Sequence, residues 1–172
     1  MTSLVLTIIA PDKPGLVELL SQTIATHQGN WLESSLSRLA GKFAGIVIVK
    51  TQESQVETLI NALTALDAQG LQVIAERSQE AEAIDTTTFN HISLELIGHD
   101  KPGIVKEISQ ALNAHKVNVE RLSTELVSGS MSAEELFKAE AELLVPESVE
   151  LDDLQQALEA IAGDLMVDIT LN

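Results

Sequence analysis

Apolar and polar positions along this chain run through one order of rhythms, and then run through it again. Leu4 to Ala10, in LVLTIIA, form a near-continuous apolar stretch that predicts a strand. Leu16, Val17, Leu20 and Ile24 follow at i, i+1, i+4 and i+8, one face of a helix. Gly29, in HQGN, is placed to stop that helix. WLESSLSRLA is polar and predicts an edge strand, Gly41-Lys42 a short turn, and FAGIVIVK a central apolar strand. Val56, Leu59, Ile60, Leu63 and Leu66 predict a second helix, and LQVIAE a closing strand.

The second half repeats the order. HISLELIG predicts a strand with Ile92, Leu94 and Leu96 on one face, and Ile104, Val105, Ile108 and Leu112 form the next helix stripe. NVERLSTELV and LFKAEAELLVP predict the second and third strands, the latter with Phe137, Ala139, Ala141 and Leu143 alternating against charges. Leu151, Leu154, Leu158 and Ile161 predict the last helix, and LMVDITLN the last strand. The two halves also align residue by residue. DKPGLVELLSQTIATHQGNW lies over DKPGIVKEISQALNAHKVNV at a constant offset of 88, without a gap. They differ between strands two and three, where the second half carries the longer polar stretch SGSMSAEE, Ser128 to Glu135.

A β-α-β-β-α-β order predicts an α+β, ferredoxin-like unit: a four-stranded antiparallel sheet with two helices on one face. The chain is expected to hold two, residues 1–78 and 91–172, joined by a polar linker over 79–90. Exposed sheet faces and edges are expected to be covered by packing of the units on each other.

Composition narrows the chemistry. Cysteine is absent, which removes thiolate nucleophiles, zinc-thiolate sites and disulfides. Aromatic residues make up 2%, so the cores must be aliphatic. No apolar run approaches the roughly 20 residues that span a bilayer, and the first residues lack the pattern of a signal peptide. A cytoplasmic protein is expected. The net charge is −16: residues 1–78 hold seven acids and five bases, and residues 79–172 nineteen and five. Nucleic-acid binding depends on Lys and Arg neutralising phosphates, and no basic cluster exists, so direct DNA binding is not expected. No G-x-S-x-G, Walker A or G-x-G-x-x-G pattern is present. No enzymatic activity, cofactor or metal is expected. His27 and His115 share one repeat position near the end of a helix, where a histidine suits the negative dipole end.

The repeated tetrapeptides, Asp12-Lys13-Pro14-Gly15 and Asp100-Lys101-Pro102-Gly103, each join a strand to a helix. One reading is structural: Asp12 and Asp100 cap the helix, Pro14 and Pro102 fill its first turn, and Gly15 and Gly103 permit close approach. The other uses the same physics for a ligand. Free N–H groups at a helix start seat a carboxylate, and an aspartate beside them accepts from an ammonium group. Asn30 and Asn118, each 18 residues after the aspartate, begin strand two and offer a donor and an acceptor to a neighbouring unit's loop.

A strand, Asp-x-Pro-Gly-[Leu/Ile]-Val, a helix, then Asn and a second strand, within this element order, resembles the ACT domain over nearly the whole chain. The resemblance implies a regulatory module that senses an amino acid, such as glycine, at an interface between two ACT units. It puts Asp12, Pro14, Gly15 and Asn30, and Asp100, Pro102, Gly103 and Asn118, at the site. Two positions before each aspartate, where some amino-acid-binding ACT domains hold a polar side chain, stand Ala10 and Gly98; His99 could substitute in the second unit. Stand-alone tandem ACT regulators further imply repression by contact with a LysR-type transcriptional activator, and a possible homodimer. A tandem ACT pair that only assembles, with no small ligand, is the alternative.

Overall fold

The structure is a computed structural model and describes residues 1–78, 88–131 and 133–172. The chain divides into two compact units, Met1–Glu82 and Ala83–Asn172.

Unit 1 runs β1 (Thr2–Pro11), α1 (Leu16–Thr26), β2 (Asn30–Leu39), β3 (Lys42–Thr51), α2 (Val56–Thr64) and β4 (Gln72–Arg77). Its sheet has the order β2-β3-β1-β4, antiparallel throughout. Unit 2 repeats this with β5 (Phe89–His99), α3 (Ile104–Ala114), β6 (Asn118–Ser128), β7 (Glu135–Pro146), α4 (Leu151–Leu165) and β8 (Val167–Leu171), in the order β6-β7-β5-β8. Both units therefore have the ferredoxin-like topology, with the polar second strand at an edge and the apolar third strand inside.

Alternation decides what each strand buries. Leu4, Leu6, Ile8 and Ala10 of β1 face the core with Val47 and Val49 of β3, and Leu16, Leu20 and Ile24 of α1 close over them. In unit 2, Leu94 and Leu96, Ala139, Ala141 and Leu143, and Ile104, Ile108 and Leu112 do the same. Val17 and Val105, which the periodicity assigns to the helix stripes, are exposed instead. They are the second residues of their helices, one position off the buried stripes Leu16, Leu20, Ile24 and Ile104, Ile108, Leu112. Leu66 lies past α2 in a short 3-10 turn, Ala65–Gln69, and still packs into the core.

The sequence boundaries shift in three places. The β2–β3 turn is Ala40-Gly41, both at positive φ (49° and 75°), and Lys42 already belongs to β3. Positive φ at both central residues is what a tight hairpin between twisted strands requires. Gly29 is not the left-handed stop of α1: Gln28 takes that conformation (φ 60°), as Lys116 does after α3 (φ 57°). Phe89 and Asn90, assigned to the linker, pair with Pro146 and Val145 as the start of β5. Residues 79–87 of that linker, and Ser132 of the Ser128–Glu135 connection, lie outside the described residues.

The repeats diverge on the sheet face turned away from the helices. Unit 1 exposes Ile9, Ile46 and Ile74 there. Unit 2 places Glu95, Glu140, Glu142 and Asp168 at alternating exposed positions of its strands. Lys138 Nζ lies 2.6 Å from Glu140, and this hydrogen-bonded pair holds Glu140 below the usual carboxylate range and raises Lys138.

Candidate functional site

Each DKPG loop leaves the end of a central strand and enters a helix. Gly15 and Gly103 are the N-cap residues, at φ 88° and 97° in the left-handed region. A Cβ at either would meet nothing within 4 Å. These glycines are thus explained by backbone conformation and not by close approach. A β-carbon there costs about 1–2 kcal/mol in strain, so Gly103→Val would disturb the loop itself. Pro14 and Pro102 stand one residue ahead of the N-cap, outside the first helical turn.

The aspartates do not cap the helices, since neither helix has a side-chain cap hydrogen bond. Asp12 lies three residues before the N-cap and turns to the sheet edge, where its Oδ2 accepts from Arg38 Nη1 at 3.3 Å. Its N–H donates to the Gly41 carbonyl at 2.9 Å. Lys13 Nζ donates to the Gln69 carbonyl at 3.0 Å. The first backbone bond of α1 runs from Leu19 N–H to Gly15, and that of α3 from Glu107 N–H to Gly103, both 2.9 Å. The N–H groups of the three residues before each donor are the free ones of a helix start. Asp12, Lys13, Gly15, Leu16, Val17, Glu18 and Phe43 together line an open cleft at the start of α1. This cleft presents opposite charges, helix N–H groups and an aromatic wall.

Asn30 and Asn118 lie at the other end of their sheets. Asn30 pairs with Lys50, whereas Pro11, just before Asp12, pairs with Lys42. Asn118 pairs with Leu144, whereas His99 pairs with Leu136. Eight residues of strand separate the two ends, about 26 Å at 3.3 Å per residue. Within one unit, then, the loop and the asparagine are not brought together. Both asparagines are exposed and each precedes a bulge, at Leu32 in β2 and Glu120 in β6.

Ala10 is buried, 2% exposed, beneath α1. Gly98 is required by packing, because a Cβ there would meet Val167 Cγ1 at 2.4 Å. Neither position has room for a polar side chain aimed at the loop. His99 Nδ1 lies 3.4 Å from Glu134, on the exposed connection after β6. His27 and His115 each place Nδ1 at 2.9 Å from the carbonyl four residues earlier, Thr23 and Ala111. The carbonyl accepts, so Nδ1 carries the proton and both rings close a helix end. Among the described residues no group of three or more His, Asp or Glu is placed to hold a metal, and no helix is long and apolar enough to cross a membrane.

Arg38 escapes sequence reasoning because it looks like one more charge on a polar edge strand. The signal was in the repeat: at the offset of 88, Leu126 stands in its place.

Two βαββαβ units, each with a glycine-capped Asp-Lys-Pro-Gly loop after the first strand, define a tandem ferredoxin-like module. Residues 2–76 match one ACT domain family and residues 86–167 another, and the chain belongs to the ACT-domain proteins. It is similar to the glycine cleavage system transcriptional repressor of Escherichia coli K12, at 21% identity over 98% of this chain and 88% of that protein. The protein of the same description from Shigella flexneri matches at the same identity and coverage. A crystal structure of an unknown protein from Galdieria sulphuraria shares the fold across 99% of this chain and 97% of its own, with a TM-score of 0.81 and 24% identity.

Proposed function

We propose that the protein is an amino-acid-responsive transcriptional regulator that represses the glycine cleavage system through contact with an activator, not through DNA. The observation that carries this reading is the loop cleft of unit 1: Asp12, Lys13 and the first N–H groups of α1 together suit a free amino acid. The end-to-end likeness to the repressor of Escherichia coli supports the regulatory role. A net charge of −16 opposes direct binding to DNA. A protein partner is then needed, and a LysR-type activator of the glycine cleavage genes is the one proposed, in the cytoplasm. The protein is not read as an enzyme, because the described loops offer no nucleophile–base pair.

Asn30 and Asn118 lie about 26 Å from the loop of their own unit. A ligand using an asparagine with Asp12, Pro14 and Gly15, or with Asp100, Pro102 and Gly103, takes it from a second unit, in one chain or in a homodimer. One observation favours a ligand-free assembly module instead: Arg38 and the Gln69 carbonyl already satisfy Asp12 and Lys13.

Co-purification of the protein with the LysR-type activator, with and without glycine, tests the proposal. Complex formation that glycine weakens is expected. An unchanged complex across all amino acids would favour the assembly module, and a shift of operator DNA by this protein alone would sink the contact mechanism.

A further inference from the structure

The outer sheet faces of the two units, on the sides turned away from the helices, follow one register and carry opposite chemistry. In unit 1, Thr7 of β1 pairs with Ile46 on one side and Ile74 on the other. Val5 pairs with Ile48, and Ile9 with Ala44, in the neighbouring rows. Directly opposed residues share one face of a sheet, so Val5, Ile9, Ile46, Ile48 and Ile74 form one patch. Ile74 is 62% exposed, Ile46 50% and Ile9 43%, so the patch lies open and is not part of the core. In unit 2, Glu95 is the repeat counterpart of Thr7 and pairs with Glu140 and Thr170, while Ser93 pairs with Glu142. Glu140 and Glu142 thus stand where unit 1 has Ile46 and Ile48. The fold does not demand isoleucine on this face, yet unit 1 presents it.

An apolar centre inside a polar border is the anatomy of a protein interface. Glu33, Lys42, Lys50 and Glu76 border the patch on the same face, two of each sign. Among the described residues none of the four makes a side-chain hydrogen bond or ion pair. We infer that this face is a homodimer interface, on which the outer sheet of unit 1 packs against the same sheet of a second copy about a two-fold axis. Charge selects that occupant. With seven acids and five bases, residues 1–78 hold only −2 of the net charge of −16. Two copies that meet through unit 1 therefore meet where their mutual repulsion is least, and the balanced border adds none. The outer face of a unit 2 is the wrong partner, because Glu95, Glu140 and Glu142 would lose water against isoleucine and gain no counter-charge. A basic protein would be drawn to those carboxylates and not to this patch. Size sets the strength. Four strands are about 19 Å across and ten residues about 33 Å long, which gives about 600 Å² per copy before side-chain relief. A standard interface uses about 800 Å² per partner, so this face accommodates a dimer of modest affinity, with Kd about 1–100 μM.

Analytical ultracentrifugation of the full chain over a range of concentrations tests this, with no amino acid present. Circular dichroism checks that each variant is folded. Wild type is expected to pass from monomer to dimer as its concentration rises. Ile46→Glu, which installs the unit 2 residue type, should weaken the dimer by about tenfold or more, because each copy then buries a carboxylate in the apolar centre. Ile74→Glu, on the edge strand β4, should do the same and gives a second reading at a different strand. Glu95→Gln, on the outer face of unit 2, should stay within about twofold of wild type. Added salt should strengthen the dimer, since it screens two acidic chains and leaves the apolar contact intact. A monomer at every concentration, a dimer that neither isoleucine variant weakens, or a dimer that salt dissolves would overturn the inference.

Discussion

Leu154→Ala is expected to destabilise unit 2 by about 2–5 kcal/mol, the cost of emptying a buried leucine site. α4 is 15 residues long, yet only Leu154 and Leu158 of it are buried. Leu154 has no exposed surface and belongs to the unit 2 core, whose β7 side supplies the small Ala139 and Ala141. Alanines cannot reach into a void, so the cavity stays. Chemical denaturation followed by circular dichroism reads the loss. A change below about 1 kcal/mol would show that the site collapses, and that the helix is held by its partly buried residues instead.

Gly45→Val should cost unit 1 about 3 kcal/mol, the upper part of the range for overpacking. A Cβ at Gly45 would lie 2.0 Å from the Ser35 carbonyl oxygen and 2.8 Å from Leu36 Cα. Both are backbone atoms of β2, and only movement of the strand relieves the clash. β2 is an edge strand held by β3 alone, so it is the element that moves. Trp31, the only tryptophan of the chain, lies in β2 and packs against the core. Its fluorescence therefore reports the displacement directly. Wild-type emission and wild-type stability in Gly45→Val would contradict the register of β2 on β3.

The architecture was legible because its signal is periodic. Leu4, Leu6 and Ile8 alternate, Leu16, Leu20 and Ile24 recur at helical spacing, and the second half repeats both patterns. The roles within the loop were less legible, for a physical reason. A cap, a strained φ and a close approach all select the same few residue types, so the letters D, P and G did not say which was in force. The structure assigns Gly15 and Gly103 to positive φ, leaves both helices without an aspartate cap, and ties Asp12 to Arg38. That partner is 26 positions away in sequence and is brought near by the hairpin. Spacing placed Asn30 at the start of strand two, offered to the loop of a neighbouring unit and not to its own. The antiparallel pairing of β2 puts it at the far end of the sheet, which no count along the chain reveals.

The central claim is that this tandem ACT protein takes a free amino acid as its input. Titration calorimetry of the intact protein against glycine, serine and a panel of the other amino acids tests it most directly. Saturable heat with one amino acid, or with a small chemically related set, is the predicted result. A folded protein that stays silent across the whole panel would contradict it, and would leave the two loops as glycine-capped turns in a module built only for protein contact.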